Sequence, residues 1–272
     1  MNRILAGVTL YAELGMDHRA QVAADLLSRW QVYHKAAPCF DLLLIDNAVR
    51  HSLLRQAIDN FPRTEPRTQI AHNPENVGWA KGRNQMITVF MQGEWNNLVM
   101  MDQDMWIEEE DWLARIDELI DLEPNLHGYT LTVEKHDISE TITLTDSGTS
   151  AYTMREYLGG INVIDRKVVE LTGGYEIKEL SPIWGYSDCL LGRRLIGSGL
   201  LDYVGRRYVD PIRVNTEHRN STHLETYSTD LHNRLVGEYC GNFGRLAAQA
   251  LAGTNLYSDY HVDIPNEINF TE

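Results

Sequence analysis

Two aspartates, Asp102 and Asp104, follow a run of four apolar residues that begins at Leu98. Such a run is typical of a buried strand, and alternate side chains on an extended backbone point the same way. Two convergent carboxylates are hard oxygen ligands that suit Mg²⁺ or Mn²⁺, and such an ion suits a diphosphate. The alternative is that these aspartates only support a turn or cap a helix. The motif therefore indicates metal-assisted chemistry on a nucleotide-linked substrate.

The bulk composition is that of an ordinary globular protein. The chain has 272 residues, of which 43% are hydrophobic, enough for one large core or for a core domain with a small lobe. No stretch predicts a membrane span, and the N-terminus does not resemble a signal peptide. The three cysteines, Cys39, Cys189 and Cys240, are odd in number and far apart, which argues against a disulfide framework or a structural zinc site. We therefore expect a cytoplasmic protein.

The chain is acidic, with 24 basic against 39 acidic residues and a net charge of −15. This balance argues against broad non-specific binding of nucleic acid, which depends on neutralising phosphates. Arginines are nevertheless concentrated in the C-terminal third, at 193–194, 206–207 and 213. A local basic groove, and with it a DNA partner, therefore stays open.

Strands alternate with helices along the N-terminal half of the chain. Apolar periodicity predicts, in order, strand 4–11, helix 18–34, strand 40–45, helix 51–61, strand 68–72, helix 82–91, strand 98–101 and helix 111–120. This alternation predicts βαβ units, an α/β fold with a mainly parallel sheet flanked by helices. Ligands of such sheets bind beyond the carboxyl ends of the strands, where Tyr11, Asp46, Asn73 and the two aspartates lie.

Three segments of the chain, in this order, resemble glycosyltransferases of the GT-A fold. Residues 73–84, Asn-Pro-Glu-Asn-Val-Gly-Trp-Ala-Lys-Gly-Arg-Asn, resemble the N-x-G…R-N stretch of family 2 enzymes. The pair Asp102 and Asp104, followed by Glu-Asp-Trp-Leu at 110–113, resembles the DxD motif and the helix start after it. The third segment resembles the acceptor module of β-1,4-galactosyltransferases and polypeptide N-acetylgalactosaminyltransferases, with Gly-Gly at 159–160, Thr-Gly-Gly-Tyr at 172–175, Trp-Gly-Tyr-Ser-Asp at 184–188 and Arg-Arg-Leu at 193–195. Ser187 departs from this pattern, because those families usually have Glu there.

The resemblance implies a GT-A (Rossmann-like) fold in a single domain, residues 1–272. Within it, residues 1–127 would form the nucleotide-sugar-binding half and 159–228 the acceptor and catalytic half. Residues 128–158, rich in Thr and Ser, predict a hairpin or a mobile loop between them. Residues 229–272 would form a C-terminal helix and tail.

The implied donor site lies in the first half. Asp46 would bind the nucleobase or ribose, and Tyr11 would either stack on the base or only pack within its strand. Lys81 and Arg83 would meet phosphate, while Asn84 would hold its own loop or reach the sugar. Asp102 would contact the ribose or a metal-bound water. The full set of donor residues implied is Thr9, Tyr11, Asp46, Asn76, Gly78, Lys81, Arg83, Asn84 and Asp102.

The resemblance also implies a Mn²⁺ or Mg²⁺ ion and a base. Asp104 would ligate the metal with Asp102, and His218 would be the third protein ligand. His223 is the rival for that place, and the alternative for His218 is an ordinary histidine on the surface. Asp188 would take the proton from the attacking hydroxyl, would cap the following helix, or would orient the acceptor if the enzyme retains configuration. Gly159, Gly160 and Trp184 would contact the acceptor, although Trp184 also suits a core.

The expected function is transfer of a sugar from a nucleotide-sugar, most simply a UDP-sugar, to a hydroxyl acceptor. A glycan or small molecule is favoured as acceptor, and a lipid-linked sugar, a protein side chain or a hydroxymethylated DNA base stays possible. A sugar nucleotidyltransferase is the second interpretation, but it would carry a glycine-rich loop after the first strand, where this chain has only Gly15. A non-catalytic sugar- or nucleotide-binding relative is the third. The oligomeric state does not follow from the sequence.

Overall fold

Helices and strands alternate along the chain. A computed structural model describes residues 3–37, 40–63, 67–122, 127–131, 138–144, 150–154, 160–175, 191, 204–210, 214–216, 263–265, 268 and 270. Within them the helices are α1 (Asp17–Ala36), α2 (Ser52–Asp59), α3 (Trp79–Gln92), α4 (Trp112–Leu122) and α5 (Arg166–Thr172). The strands are β1 (Ile4–Leu10), β2 (Phe40–Asn47), β3 (Arg67–Asn73), β4 (Asn97–Met101), β5 (Met105–Ile107), β6 (Gly128–Leu131), β7 (Ile138–Leu144), β8 (Ser150–Met154), β9 (Ile161–Asp165), β10 (Val204–Asp210) and β11 (Val214–Thr216).

A mixed sheet forms the centre of the fold. Its nine strands within the described residues have the order β3-β2-β1-β4-β9-β6-β10-β8-β7. Strands β3, β2, β1 and β4 are parallel neighbours, whereas β9 runs antiparallel to both β4 and β6. The predicted α/β fold class is confirmed. The parallel half brings the carboxyl ends of its four strands together, and we call the positions that they deliver, 11, 46–47, 73 and 102–104, the carboxyl edge.

Helices cover both faces of the sheet. All eight residues of β2 are buried, as expected for a strand packed on both faces. On one face α1 buries Trp30 and Tyr33, spaced so that both point inward, and their rings lie 6.0 and 5.7 Å from the ring of Trp112 on α4. On the other face α3 and α5 form a second apolar cluster with β4 and β9.

Helix α3 approaches β1 closely through two glycines. A Cβ atom on Gly82 would lie 2.8 Å from Cγ2 of Thr9, and one on Gly7 would lie 2.6 Å from the sulfur of Met86. A side chain at either position would require Thr9, Met86 or the helix itself to shift. The sequence predicted that this helix begins at Gly82, but it begins at Trp79, because Gly82 serves packing inside the helix rather than marking its start.

A second, two-stranded sheet extends the segment after the aspartates. Strands β5 and β11 pair antiparallel, and Met105 faces Thr216. The hydroxyl of Tyr33 makes two hydrogen bonds to the end of β5. It donates to the carbonyl of Ile107 at 2.7 Å and accepts from the N–H of Ile107 at 3.1 Å. Burial raises the pKa of this phenol, so the hydroxyl keeps its proton for these bonds.

The stretch 128–158, for which the sequence predicted a hairpin or a mobile loop, contributes three strands. Strands β7 and β8 pair antiparallel, and β6 lies within the main sheet between β9 and β10. The sequence also predicts a helix after Asp188, over residues 189–196, and places the C-terminal helix at 230–252. Both lie outside the described residues, apart from Leu191. In the part of the chain that the structure describes, we find no helix with the length and apolar character to span a membrane.

We predict that Tyr33→Phe destabilises the protein although it removes one oxygen. The change leaves the buried N–H and carbonyl of Ile107 without the hydroxyl that bonds both, a loss of about 1–3 kcal/mol in the free energy of unfolding. Urea denaturation measures this, with Tyr11→Phe as the matched control, since the Tyr11 hydroxyl donates to the partly exposed Glu13 side chain and not to buried backbone groups. Equal stability of the two variants would contradict the role given to Tyr33.

Candidate functional site

An ion pair at the carboxyl edge joins the buried Arg83 to Asp102. Arg83 on α3 is 1% exposed, and its Nη2 donates to Oδ1 of Asp102 at 2.6 Å. The same oxygen accepts the indole N–H of Trp79 at 2.7 Å. Both donors therefore hold one carboxylate oxygen of Asp102, which fixes the direction of the whole side chain. The second oxygen, Oδ2, accepts no hydrogen bond from the described residues.

The Arg83 guanidinium contacts two aromatic rings and two oxygen acceptors besides Asp102. It lies 4.5 Å from the ring centre of Trp79 and 5.6 Å from that of Tyr175, where an aromatic face attracts a cation. It also donates to the Gly160 carbonyl at 2.8 Å and to the Tyr175 hydroxyl at 3.3 Å. The sequence predicted that Arg83 meets a donor phosphate. Its described hydrogen-bond partners are Asp102, Gly160 and Tyr175, and a contact with phosphate stays a prediction.

Asn84, next to Arg83, anchors the Gly-Gly-Tyr segment. Its side chain donates to the Tyr175 carbonyl and accepts from the Tyr175 N–H, both at 2.8 Å. The contact needs a glycine at 174, where φ is +123° and a Cβ would lie 2.8 Å from Oδ1 of Asn84. The sequence predicted that Asn84 holds its own loop or reaches the sugar. The bonds described here instead join it to Tyr175, 91 residues along the chain, and a contact with the sugar stays a prediction. On the same cluster Asn162 donates to the Tyr175 hydroxyl at 3.1 Å.

The two aspartates lie on a turn and not on an extended strand. The N–H of Met105 donates to the Asp102 carbonyl at 3.2 Å, which closes a β-turn. The argument from alternating side chains was therefore wrong for this segment. Gln103, between the aspartates, is 5% exposed. Its amide accepts from the Tyr11 N–H at 2.7 Å and donates to the Tyr11 carbonyl at 3.0 Å, which fastens the turn to the end of β1.

The carboxylate of Asp46, near the end of β2, accepts four hydrogen bonds from the protein. Its side chain is 3% exposed and accepts two bonds from Arg55, at 2.6 and 3.0 Å, one from the His72 ring at 2.7 Å and one from the Val49 N–H at 3.0 Å. The groups that reach solvent here are Arg55 and His72, at 33% and 44% exposure. That Asp46 itself contacts a nucleoside stays a prediction, which would require a ligand to share these bonds.

The loop from β3 to α3 is held by amide side chains. Asn47 accepts from the Val77 N–H at 2.9 Å and donates to Oδ1 of Asn76 at 2.8 Å, and Oδ1 of Asn76 also accepts the Gly78 N–H at 2.9 Å. Gly78 has φ +84°, a conformation that favours glycine. Lys81, the third residue of α3, is exposed.

Tyr11 and Arg19 form the remaining side of the edge. The Arg19 guanidinium, from the first turn of α1, lies 5.7 Å from the ring centre of Tyr11, and the Tyr11 hydroxyl donates to Glu13 at 3.2 Å. Burial raises the pKa of the Tyr11 phenol. Thr9, whose hydroxyl is buried and finds no hydrogen-bond partner among the described residues, lies behind them against Gly82.

The conformation and surroundings of Gly160 are determined by contacts within the protein. Its φ is +115°, and a Cβ there would lie 2.7 Å from the sulfur of Met105. Its carbonyl accepts from Arg83 and from the Asp102 N–H, the latter at 3.0 Å. That Gly160 also contacts the acceptor stays a prediction. The other predicted residues of the second half, Gly159, Trp184, Asp188, His218 and His223, lie outside the described residues.

The described residues suit a cation that a substrate helps to bind. They contain no group of three or more His, Cys, Asp or Glu side chains arranged to hold a metal. They do contain two carboxylates two residues apart at the carboxyl edge, Asp102 and Asp104. Mg²⁺ is commonly held by one or two carboxylates together with substrate phosphates and water, rather than by an all-protein cage, so ligands of this type suit such an ion.

Comparison with solved structures identifies the fold, whereas comparison by sequence finds no match. No protein-family model matches the chain, and no curated protein is similar to it in sequence. Two solved structures of S. aureus TarS are similar: one at TM-score 0.53 and 14% identity over 75% of this chain and 35% of the TarS chain, the other, TarS 1–349, at 0.52 and 14% over 75% and 57%. A putative glucose-1-phosphate thymidylyltransferase from Bacillus anthracis matches at TM-score 0.50 and 10% identity, over 78% of this chain and 89% of that one.

The chain has a Rossmann-like GT-A fold. At these identities the likeness shows the fold alone. The chain also spans only about a third and somewhat over half of the two TarS chains, so what those proteins do is not carried over by the match.

Several residues of the site were not predicted from the sequence, among them Arg19, Trp79, Gln103 and Tyr175. Trp79 and Tyr175 stand inside segments that the motifs covered, and an aromatic residue close to an arginine in such a segment is a usable signal for a stacked guanidinium. Gln103 occupies the variable position of the motif, where only the turn geometry reveals its role. Arg19 is distant in sequence from both aspartates, and no local pattern connects them.

We predict that Asp102→Asn destabilises the protein in the absence of any ligand. The amide keeps the shape of the side chain but leaves the buried Arg83 cation without its counter-charge, which should lower the free energy of unfolding by about 3 kcal/mol. Urea denaturation in EDTA measures this, with Asp25→Asn on α1 as the charge-matched control, expected to stay within about 0.5 kcal/mol of the unmodified protein. An Asp102→Asn variant as stable as the control would show that the ion pair is unimportant.

Proposed function

We propose that this protein is a metal-assisted glycosyltransferase that moves a sugar from a nucleotide-sugar, most simply a UDP-sugar, to a hydroxyl acceptor. The observation that carries the proposal is the state of the two aspartates at the carboxyl edge. Asp102 is locked through Oδ1 by Arg83 and Trp79, so Oδ2 is the oxygen left for a ligand. Ligands of open α/β sheets bind at this edge, and the GT-A fold is one that holds nucleotide-sugars there.

Asp104 and Oδ2 of Asp102 would hold Mn²⁺ or Mg²⁺ together with the donor diphosphate. When bound, the ion would neutralise charge as the bond between sugar and phosphate breaks. His218 is the proposed third ligand. Strand β11 ends at Thr216 opposite Met105, which directly follows Asp104. His218 follows β11 two residues after Thr216 in the sequence, and His223 stays the rival.

The chain's own residues would bind the rest of the donor. Tyr11, Thr9 and Asn76 border the end of β1 and would receive the nucleoside, with Asp46 acting beneath them through Arg55 and His72. Lys81, exposed in the first turn of α3, would meet phosphate, whereas Arg83 would act indirectly by holding Asp102. Gly78 would let the backbone approach the donor.

Asp188 is the proposed base, and Gly159, Gly160 and Trp184 the proposed acceptor residues. The acceptor hydroxyl would give its proton to the Asp188 carboxylate while its oxygen bonds to the anomeric carbon, and the nucleoside diphosphate would leave with the bonding electrons. If configuration is retained, Asp188 would orient the acceptor instead. A glycan or a small molecule is the favoured acceptor, and modified DNA stays the alternative.

A sugar nucleotidyltransferase is the second candidate. The similarity to the Bacillus anthracis thymidylyltransferase structure, which covers 89% of that chain, favours it. The segment between β1 and α1, residues 11–16, weighs against it, since its only glycine is Gly15 and phosphate loops of that kind are rich in glycine. Release of pyrophosphate from a nucleoside triphosphate and a sugar 1-phosphate would decide for this candidate. No turnover of either kind would leave the non-catalytic, ligand-binding interpretation.

We predict that one nucleoside diphosphate, UDP in the simplest case, stabilises the protein only with a divalent cation. A thermal-shift panel of UDP, GDP, CDP and ADP, each with Mn²⁺ or EDTA, measures this. A ligand at one hundred times its Kd adds about 2.7 kcal/mol to the free energy of unfolding. Asp104→Asn should remove the shift and Asp25→Asn should keep it. No shift with any nucleotide, or one that survives Asp104→Asn, would contradict the proposed donor site.

We predict that Asp188→Asn lowers turnover by at least about a hundredfold, the usual contribution of a general base, and leaves the nucleotide-dependent thermal shift unchanged. The amide has the size of the carboxylate but does not accept the proton. Release of nucleoside diphosphate from the donor with acceptor present measures turnover. Full activity of this variant would exclude Asp188 as the base, and a lost thermal shift would assign it to donor binding.

A further inference from the structure

Three side chains form a chain of hydrogen bonds at the end of the sheet opposite the carboxyl edge. Nδ1 of His127 lies 2.7 Å from Oδ2 of Asp165, and Nζ of Lys167 lies 3.1 Å from Nε2 of the same ring. We call these three residues the amino-edge triad. Asp165 is the last residue of β9 and pairs with Asn97, the first residue of β4. The length of β4 therefore separates the triad from Asp102.

The main chain fixes the positions of His127 and Asp165. The Asp165 N–H donates to the His127 carbonyl at 2.9 Å, beside the antiparallel pairing of β6 with β9. Oδ1 of Asp165 accepts the Val168 N–H at 2.9 Å and so caps α5, while Oδ2 holds the imidazole. Lys167 is the second residue of α5. A strand pairing and a helix cap thus bring the three side chains together.

The amino-edge triad joins a sheltered base to an accessible amine. The side chains of His127 and Asp165 are 14% and 25% exposed, whereas Lys167 is exposed. Because a carboxylate only accepts hydrogen bonds, Nδ1 of His127 carries a proton and Nε2 is the nitrogen that accepts from the Lys167 ammonium. A nucleophile, a base within hydrogen-bond reach and a third group that orients the base together form the signature of an activated nucleophile.

We propose that Lys167 is a site of covalent acylation, and that its reagent is a small compound with an acyl group on a good leaving group. Nε2 of His127 takes one proton from the Lys167 ammonium, which frees the lone pair of Nζ. This pair bonds to the acyl carbon, and the leaving group departs with the electrons of the bond that breaks. A second proton passes from nitrogen to water, and the product is an uncharged amide. Asp165 stabilises the imidazolium that His127 becomes.

Incubation of the full chain with acetyl phosphate, followed by mass spectrometry of its peptides, measures the acetylation rate of each lysine. Lys167 should react more than about tenfold faster than Lys35 and Lys81, because a positioned base contributes roughly 10²–10⁴-fold. Lys35 and Lys81 are exposed as well, so exposure alone would make the three rates similar. Similar rates in the folded protein would overturn the proposal.

His127→Gln keeps a side chain that donates and accepts hydrogen bonds but removes the base, and it should lower the Lys167 rate to that of Lys35. His51→Gln is the matched control, because the His51 ring also bonds an aspartate, Asp17, at 2.8 Å. It should leave the Lys167 rate unchanged. A Lys167 rate that His127→Gln does not lower, or that both variants lower equally, would overturn the proposal.

Two further measurements separate the role of the triad from an effect on folding. Asp165→Asn keeps the cap of α5, since asparagine caps a helix as aspartate does, and should also slow the acetylation of Lys167. The unmodified protein in concentrated urea loses the triad, so the rates of Lys167, Lys35 and Lys81 should become similar. A Lys167 that stays faster in urea would owe its rate to its neighbours in sequence, and the proposal would fall, as it would if Asp165→Asn reacted at the unmodified rate.

Discussion

The buried contact between Arg83 and Asp102 is the constraint on which the carboxyl edge depends. A guanidinium with 1% exposure is not tolerated without a counter-charge and hydrogen-bond acceptors, because its desolvation costs several kcal/mol. The fold meets this need with one oxygen of Asp102, a carbonyl at Gly160 and a hydroxyl at Tyr175. These acceptors come from three separate segments, so the arginine fixes their relative positions. The carboxylate that a ligand would meet is oriented by this internal requirement.

The same requirement explains the unusual interior of α3. Arg83, Asn84 and Gln85 are consecutive and all buried, although polar residues normally face solvent. Each has a partner within the protein: Arg83 in Asp102, Asn84 in Tyr175, and Gln85 in Asn73 through two reciprocal amide bonds at 2.8 and 3.0 Å. The close contact of Gly82 with Thr9 seats this helix on β1. The helix therefore joins the ends of β1, β3 and β4, the strands that supply the site.

Local patterns predicted the frame of the fold. Continuous apolar runs marked the strands, amphipathic spacing marked α1 and α4, and the alternation of the two predicted the α/β class. Periodicity failed at Gly82, where the reason for a glycine lies in another element. It also failed at the aspartates, because these residue types are compatible both with a turn and with the end of an extended strand. The hydrogen bond from the Met105 N–H to the Asp102 carbonyl shows that the segment is a turn.

The site was predictable as a set of residues but not as a set of contacts. Arg83 was identified but its contact with Asp102 was not, because a phosphate and a carboxylate attract the same guanidinium and the sequence does not say which is nearer. Asp46 was likewise identified without Arg55 and His72, which occupy its oxygens. Arg19 was missed, since its partners are brought to it by the packing of α1 against the sheet. Pairing of charges across elements is a property of the tertiary structure.

The central claim is that Arg83 holds one oxygen of Asp102 and leaves the other for a cation. A crystal of the protein grown with MnCl2 and the most stabilising nucleoside diphosphate, examined by anomalous scattering at the manganese edge, tests it directly. The account predicts one manganese peak within about 2.5 Å of Oδ2 of Asp102 and of the Asp104 carboxylate, with the bond from Arg83 to Oδ1 intact. A manganese ion bound elsewhere, or an Asp102 that has rotated away from Arg83 to reach it, would contradict the account.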